Sequence, residues 1–238
     1  MLVGWQHKWL ELRRKHILRR LCQRHPEGAK QLHAYLNTPL PAPNTPLDEV
    51  GLLAVDLETN GLNPNRDDIL SIGFVAVDAS AIKLATATHL LVKPRTDINA
   101  SGAVVHKIFD DRAATGVPLC DALLILLNAL AGRVLLAHYA SIERRFLRVA
   151  CRACFDVPLL VQTVDTLELE KRHLLRQQGA TSQDHLHADA LRLANVRRRY
   201  KLPDAPNHDA LEDALATAEL FWALAEHQQL TLLHNAMN

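Results

Sequence analysis

Aromatic residues and long apolar runs are both scarce in this sequence of 238 residues. Phe, Trp and Tyr together make up only 5%, so a folded core must be built mainly from Leu, Ala, Val and Ile. The longest apolar run, Ala122–Leu127, is far shorter than the roughly 20 residues that cross a bilayer as a helix. The basic N-terminal stretch lacks an uninterrupted apolar segment. We therefore expect neither a membrane span nor a secretory signal.

Cysteine is also scarce, with four in the chain. That number is too small for a disulfide scaffold in a chain of this length. Cys151 and Cys154 form a lone CxxC in a stretch with helical spacing, without the second pair that a zinc site would need. We expect them to be ordinary buried or half-buried free cysteines of a protein in a reducing, cytoplasmic compartment.

The composition suits a buried core, and the charge is strongly segregated. Hydrophobic residues make up 48% and charged residues 22%, which excludes a disordered chain. The net charge of +1 hides two basic segments, residues 1–33 and 171–201, each with eight Lys or Arg and two acids. Residues 34–170 are acid-rich, and residues 202–238 carry six acids and no Lys or Arg. This pattern predicts a polyanionic partner near a site that uses carboxylates.

The pattern along the chain predicts four parts. Residues 1–37 have the helical spacing and the charge of a basic helical appendage. A proline-rich stretch predicts a linker at residues 38–49. The main domain then covers residues 50–226, and a short tail follows at residues 227–238.

Within the main domain, apolar runs are followed first by turns and then by amphipathic segments. The first three runs are separated by short turns, which predicts an antiparallel meander. Two later runs are each followed by a helical pattern, which is typical of parallel strands with crossover helices. The predicted fold class is therefore α/β, a mixed five-stranded sheet with helices on its faces.

The first candidate site residues are two acids at the end of the first strand. The run Gly51–Val55 has the character of a buried strand and leads into Asp56 and Glu58. Because side chains alternate along a strand, the two carboxylates point to the same side, about 6–7 Å apart. Such a pair is unfavourable unless a cation lies between them. The alternative is a solvent-exposed turn with incidental acids.

Two more acids stand near predicted helix starts. Asp213 follows His208 by five residues, and Asp209 and Glu212 can cap this helix as N-cap and N3 residues without accounting for Asp213. Glu143 lies in the first turn of a helix that follows a strand, where the helix dipole alone favours an acid. Taken singly, each acid fits either a functional site or an ordinary helix start.

Three motifs in this order resemble the DEDDh 3′–5′ exonucleases. They are DLET at 56–59, H-x-A-x-x-acid from His138 to Glu143, and H-x4-D from His208 to Asp213. This is the family of the epsilon proofreading subunit of bacterial DNA polymerase III, of RNase T and of oligoribonuclease. The resemblance covers about residues 50–226.

Smaller features refine the resemblance. ILSIG at 69–73, VHKI at 105–108 and VDT at 164–166 are local matches, and Asp209 stands where a tyrosine branch of the family would have Tyr. The chain therefore resembles the histidine branch. Three positions depart from the usual pattern: Glu143 replaces Asp, Tyr139 replaces Asn, and Lys107 replaces Gly.

The resemblance implies a ribonuclease H-like fold and an enzyme that hydrolyses nucleic acid from the 3′ end, releasing 5′-mononucleotides. It implies two Mg²⁺ or Mn²⁺ ions, because such hard cations take carboxylate oxygens and can grip both reacting oxygens of a phosphodiester. His208 would be the general base that takes a proton from the attacking water. The implied metal ligands are Asp56, Glu58, Glu143 and Asp213, and the implied substrate contacts are Thr59, His106 and His138.

The expected partner is the 3′ end of single-stranded nucleic acid, with DNA favoured over RNA and a role in DNA repair or proofreading. The alternatives are an exoribonuclease of the RNase T or oligoribonuclease type and a non-catalytic nucleic-acid-binding module. The basic N-terminal helix is compatible with packing on the domain, with nucleic acid or with a membrane surface. The segment Gln229–Leu233 resembles the short peptide by which bacterial proteins bind the sliding clamp, but it lacks the Phe.

Overall fold

The structure of the protein is a computed structural model that describes residues 2–78, 81–94, 116–178, 188–205 and 209–237, the side chains of residues 2, 3, 178 and 188 excepted. Its helices are α1 (Leu2–Arg24), α2 (Pro26–Asn37), α3 (Leu119–Ala129), α4 (Ser141–Phe155), α5 (Thr166–Gln178), α6 (Leu193–Arg199), α7 (Ala210–His227) and α8 (Leu233–Ala236). Its strands are β1 (Leu52–Thr59), β2 (Ile69–Asp78), β3 (Ala81–Ile82), β4 (Thr88–Leu91), β5 (Val134–Ala137) and β6 (Thr163–Asp165).

The strands form one mixed sheet in the order β3–β2–β1–β5–β6, and β4 also pairs with β2. β1 is antiparallel to β2 and parallel to β5, and β5 is parallel to β6. The predicted α/β class with helices on a mixed sheet is confirmed. Because β1, β5 and β6 are parallel, their carboxyl ends lie at the same edge of the sheet, where α/β proteins place their functional residues.

The described part of the chain has six strands, and the predicted number of five is wrong. The sequence predicts a turn at residues 78–83 and a third strand at residues 84–94; the structure has β3 within that turn, a 3₁₀ turn at Leu84–Thr86, and β4 in the predicted strand. The Thr86 hydroxyl accepts a hydrogen bond from the Ala76 amide at 2.9 Å and donates one to the Lys83 carbonyl at 2.7 Å. A side chain thus takes the place that the backbone of a continuous strand would occupy.

The sheet has a buried cluster of apolar side chains on each face, and β1 contributes to both. Leu53, Val55 and Leu57 belong to the cluster that α1 to α4 cover. Leu52 and Ala54 belong to the cluster that α7 covers. The alternation along β1 therefore directs its even-numbered side chains towards α7.

α1 and α2 are part of the first cluster and are fixed by one buried arginine. Arg14 has no exposed surface, and its guanidinium donates hydrogen bonds to the carbonyls of Leu160, at 2.9 Å, and Tyr35. The Tyr35 hydroxyl donates to the Leu160 carbonyl at 2.9 Å and accepts from the Leu160 amide at 2.8 Å. The helices thus pack on the main domain, and the predicted boundary between appendage and domain stays a prediction.

The predicted linker and tail lie against each other. The Leu47 amide donates to the Thr231 carbonyl at 2.9 Å, and the Leu233 amide donates to the Thr45 carbonyl at 3.0 Å. Leu47 and Leu233 are both buried. The proline-rich segment is therefore held on the surface of the domain by backbone hydrogen bonds and by its own leucine.

One expectation about the cysteines is wrong. Cys154 forms a disulfide with Cys120, which joins α4 to α3 with a Cα–Cα distance of 5.4 Å. The two cysteines are 34 residues apart, so the CxxC spacing carried no sign of this partner. Cys151 is buried and unpaired as expected. None of the described helices is long and apolar enough to cross a membrane.

Candidate active site

Three carboxylates come together where β1 ends. Asp56 and Glu58 lie on β1, Asp213 lies in the first turn of α7, and one oxygen from each falls within 4.8 Å of the others. All three side chains are half-buried. The strand alternation predicted for Asp56 and Glu58 is confirmed, and α7 supplies the third acid from above the same face.

Gly73 sets the distance between the strand and the helix. It pairs with Asp56 across β1 and β2. A Cβ at Gly73 would overlap the backbone of Ala210 and Leu211 in the first turn of α7. The absence of a side chain therefore allows this helix to approach the sheet closely enough for Asp213 to reach the β1 acids.

The start of α7 is capped by another acid, Asp209. Its carboxylate accepts hydrogen bonds from the amides of Leu211, at 3.0 Å, and Glu212, at 3.2 Å. The prediction that Asp209 is the N-cap is confirmed. Asp213 is therefore not needed as the helix cap and stands among the other carboxylates.

Glu143 is the fourth acid at this edge of the sheet. It lies in the first turn of α4, is only 4% exposed, and its Oε2 atom has no hydrogen-bond partner among the described residues. Burial raises the pKa of Glu143 to about 8. It lies outside the cluster of three, but its charge is the second cause, after burial, of the raised pKa of Asp56.

Desolvation and like charges act together on Asp56. Burial is the largest cause of a pKa well above the ordinary value, followed by the charges of Glu143, Asp213 and Glu58. In the absence of a cation this cluster is electrostatically unfavourable. Hard divalent cations prefer carboxylate oxygens and would remove the repulsion, so the residues present fit the implied metal ions.

Asp165, at the end of β6, organises two loops of the site. Its carboxylate accepts hydrogen bonds from the amides of Tyr139, at 3.0 Å, and Ala140, at 2.9 Å, just before α4. It also accepts from the amides of Leu167, at 3.0 Å, and Glu168, at 3.4 Å, at the start of α5. One carboxylate therefore fixes the starts of both helices and the position of Glu143.

His138 is buried, and both ring nitrogens are bonded inside the protein. Nε2 lies 2.8 Å from the carbonyl of Leu191 and Nδ1 lies 2.8 Å from the hydroxyl of Thr166. A carbonyl can only accept, so Nε2 carries the proton and Nδ1 accepts from Thr166. Burial lowers the pKa of His138 to about 4, which keeps the ring neutral. The substrate contact predicted for His138 stays a prediction.

The residue after His138 has an unusual backbone. Tyr139 adopts a φ of 66°, in the left-handed region that Asn tolerates better than other non-glycine residues. This gives a physical reason for the Asn that is usual at this position of the motif. Here the tyrosine adopts the same turn, and its side chain is 49% exposed.

The other predicted site residues are placed only in part. Thr59 ends β1, and its hydroxyl donates to the Gly61 carbonyl at 2.7 Å, so it shapes the loop beside the carboxylates. Its contact with substrate stays a prediction. His106 and His208 lie outside the described residues.

The roles of Asp165 and Gly73 were not predicted from the sequence. Both residues lie in segments that match the family locally, VDT at 164–166 and ILSIG at 69–73. The signal was therefore present, but the partners of both residues are far away in the chain and could not be named from it.

Comparison with known proteins assigns this geometry to a family. The family model described as Exonuclease (RNase_T) matches residues 53–221. A putative bifunctional exonuclease/endonuclease protein of Mycobacterium tuberculosis is 34% identical over 195 residues, which cover 76% of this chain and 28% of that protein. The chain thus spans less than a third of that relative's length. DNA polymerase III subunit epsilon of Treponema pallidum is 27% identical, with 76% of this chain and 79% of that protein covered.

Solved structures show the same fold. The zinc-bound complex of Escherichia coli exonuclease I with single-stranded DNA has a TM-score of 0.64 at 18% identity, with 76% of this chain and 42% of that chain covered. The nuclease domain of 3′hExo, a DEDDh family member bound to rAMP, has a TM-score of 0.59 at 11% identity. The comparison covers 80% of this chain and 96% of that domain. The ribonuclease H-like fold implied by the motifs is confirmed.

Proposed function

Since this chain belongs to the exonuclease family, we propose that it is a 3′–5′ exonuclease that removes 5′-mononucleotides from the 3′ end of single-stranded DNA. The observation that carries the proposal is the cluster of Asp56, Glu58 and Asp213, whose oxygens lie within 4.8 Å of one another. A carboxylate cluster of this kind is suited to divalent cations and to phosphodiester chemistry.

In this proposal the three clustered acids and Glu143 hold two Mg²⁺ or Mn²⁺ ions. Bound ions of this type supply Lewis acidity and charge neutralisation for phosphodiester hydrolysis. The chain's own part is to fix the acids before substrate arrives: β1 supplies two, Asp209 positions α7 with Asp213, and Asp165 positions α4 with Glu143. Such preorganisation is the main source of rate enhancement in sites of this type.

His208 is the proposed general base. In the proposed step it takes a proton from the attacking water as the new P–O bond forms. The bond from phosphorus to the 3′ oxygen of the penultimate nucleotide breaks, and that oxygen leaves with the electron pair and takes a proton from solvent to become a 3′ hydroxyl. The products are a 5′-mononucleotide and a strand shortened by one. Thr59, His106 and His138 are the proposed contacts to the terminal nucleotide.

DNA is proposed as the preferred substrate because the relative from Treponema pallidum, 79% of which is covered by the match with this chain, is a DNA polymerase III epsilon subunit. The nuclease domain of 3′hExo is bound to rAMP, which makes RNA the second candidate substrate. A place in DNA repair or proofreading and a cytoplasmic location belong to the same proposal. The sliding-clamp contact through Gln229–Leu233 also stays a prediction, and it would require the buried Leu233 to leave the core.

The deciding experiment uses 5′-labelled single-stranded DNA and RNA of equal sequence, with Mn²⁺, with Mg²⁺ and with EDTA. A ladder shortened from the 3′ end, with DNA cleaved faster, is expected only with metal. Cleavage that continues in EDTA would contradict the two-metal proposal, and faster cleavage of RNA would contradict the DNA preference. Binding without cleavage under every condition would favour the non-catalytic alternative.

A further inference from the structure

A groove lies between α1 and α4, outside the carboxylate cluster. It encloses about 970 Å³ and is lined by Trp9 and Arg13 from α1 and by Arg144, Arg148 and Arg152 from α4. A second cavity of about 300 Å³ shares Arg13 and Arg152 with it and continues along α1 past Arg20 and Arg24. We call the two together the α1–α4 groove.

Four arginines of the groove have no partner among the described residues, whereas Arg152, which also lines it, forms an ion pair with Asp156 at 3.6 Å. Arg20, Arg24, Arg144 and Arg148 are exposed and make no hydrogen bond or ion pair with any residue in the described part of the chain. By contrast, Arg133, Arg197 and Arg199 are paired with Asp78, Glu219 and Glu170. Several unpaired cations facing one concave surface are the electrostatic pattern of a site for a polyanion.

An aromatic side chain stands among these charges. Trp9 is 56% exposed, and the Arg13 guanidinium lies over its ring at 4.8 Å from the centroid. The face of α1 that packs on the domain is formed instead by Leu18, the buried Arg14 and their neighbours. An exposed indole beside guanidinium groups is suited to stack on a nucleic-acid base.

One end of the groove lies beside the carboxylate site. Arg144 directly follows Glu143 at the start of α4, and Asn65, which also lines the groove, belongs to the loop between β1 and β2. From there α4 runs away from the site, and the eight residue steps from Arg144 to Arg152 span about 12 Å. A strand with its 3′ end at Asp56 would therefore meet these arginines with its preceding phosphates.

We propose that the α1–α4 groove binds the sugar-phosphate backbone of single-stranded DNA on the 5′ side of the nucleotide at the carboxylate site. The proposal rests on the proposed function for the position of the 3′ end. Arginine side chains bind phosphates without reading sequence, and Trp9 stacks on a base of any identity. The groove thus retains a long strand between successive cleavages, whereas a strand of two or three nucleotides meets only its end beside Arg144.

The test measures binding in EDTA, where the strand is not cleaved. A 5′-fluorescein oligo(dT) of 20 nucleotides is titrated with the parent protein and with the triple variant Arg13→Gln, Arg20→Gln, Arg148→Gln. The matched control is Lys8→Gln, Lys15→Gln, Arg19→Gln, which removes the same charge from exposed positions of α1 that line neither cavity. Oligo(dA) and oligo(rA) of the same length form a second pair of probes.

Each contact with a phosphate of single-stranded DNA makes the slope of log affinity against log salt concentration more negative by about 0.7. If all three arginines bind phosphates, the slope of the groove variant should be less steep than that of the parent by about 2, and the control variant should have the parent slope. Between 50 and 200 mM salt the parent should lose roughly 20-fold more affinity than the groove variant does. For a 5′-labelled trinucleotide, affinity should differ much less between the parent and the groove variant than it does for the oligonucleotide of 20 nucleotides.

An equal loss of affinity in both variants, or in neither, would overturn the proposal. It would also be overturned if the groove variant lost binding to vesicles containing phosphatidylserine while its DNA binding stayed at the parent level, because that result would assign the groove to a membrane surface. Groove-dependent DNA binding in a protein that shows no nuclease activity with Mg²⁺ or Mn²⁺ would refute the proposed function and leave the groove proposal standing.

Discussion

The helices α4 and α7 both begin beside the carboxylate site, and both carry an acid in their first turn. At α7 the cap is local: Asp209 binds the amides of Leu211 and Glu212, and Asp213 is left for the cluster. At α4 the carboxylate that binds the backbone just before the helix comes from Asp165, on a different strand. In each case the acid that fixes the helix start is separate from the acid that faces the site.

The acids that cap a helix start and the acids that face the site should therefore differ in what their substitution changes. Loss of a capping acid should lower the free energy of unfolding, because backbone amides lose their acceptor. Loss of a site acid should leave the metal-free fold intact and lower the turnover, because it relieves like-charge repulsion and removes a metal ligand. The four predictions below test this contrast, from the largest effect to the smallest.

Asp213→Asn should reduce turnover at saturating Mn²⁺ by roughly 10³-fold, as expected when one preorganised electrostatic group is lost. The metal-free variant should be as stable as the parent or more so, because the repulsion with Asp56 falls. Single-turnover cleavage and urea denaturation measure the two effects. Glu212→Gln, one residue earlier on the same helix and exposed, is the control and should cleave like the parent.

Glu143→Gln should lower turnover by at least about 10²-fold, and Glu143→Asp should retain a measurable fraction of activity because the charge is kept. A residue that served only the helix dipole would contribute about 0.3–1 kcal/mol of stability and almost nothing to turnover. Glu168→Gln, an acid in the first turn of α5, is the matched control for that role. Parental turnover of Glu143→Gln at saturating Mn²⁺ would show that the site lacks this fourth ligand.

Asp165→Ala should destabilise the protein by about 2–3 kcal/mol, because four backbone amides at two helix starts lose a buried carboxylate acceptor. Asp209→Ala, which removes a cap with two amides from one helix, should cost about 1 kcal/mol. Urea denaturation of the metal-free proteins measures both. Equal losses in the two variants would refute the view that Asp165 joins two loops.

The metal-free protein should become less stable as the pH rises from about 4.5 to about 8, because Glu143 is protonated when folded and ionised when unfolded over that interval. Each pH unit in this window costs up to about 1.4 kcal/mol. Asp56 acts in the same direction, so Glu143→Gln should show a smaller slope and not a flat one. Denaturation in EDTA at several pH values would contradict this if the parent and variant curves were parallel.

The same contrast between local and distant partners explains what the sequence could predict. The cap at Asp209 lies a few residues from the amides it binds, and the facing of Asp56 and Glu58 follows from strand alternation alone. The motifs and their order were sufficient for the family and for the α/β sheet. The roles of Asp165 and Gly73 and the Cys120–Cys154 pair depend on contacts between segments far apart in the chain, which no local pattern reports.

The predicted number of strands was wrong for a different reason. Residues 84–94 have the composition of one strand, but the Thr86 hydroxyl accepts a hydrogen bond from the Ala76 amide, so that strand pairing covers only β4, and β3 forms in the predicted turn before it. Competition between a threonine side chain and the backbone is decided by local geometry that composition does not describe.

The packing of α1 and α2 determines how the protein can be shortened for laboratory work. The family match begins at residue 53, whereas Leu18, Leu32, Tyr35 and Leu36 already belong to the buried cluster on one face of the sheet. A fragment trimmed to the match would expose the leucines of α3 that face these helices as a contiguous apolar patch. It would also leave the Leu160 carbonyl without the hydrogen bonds that Arg14 and Tyr35 donate to it. Such a fragment should aggregate on expression even with every acid of the site in place, so a usable fragment has to keep both N-terminal helices.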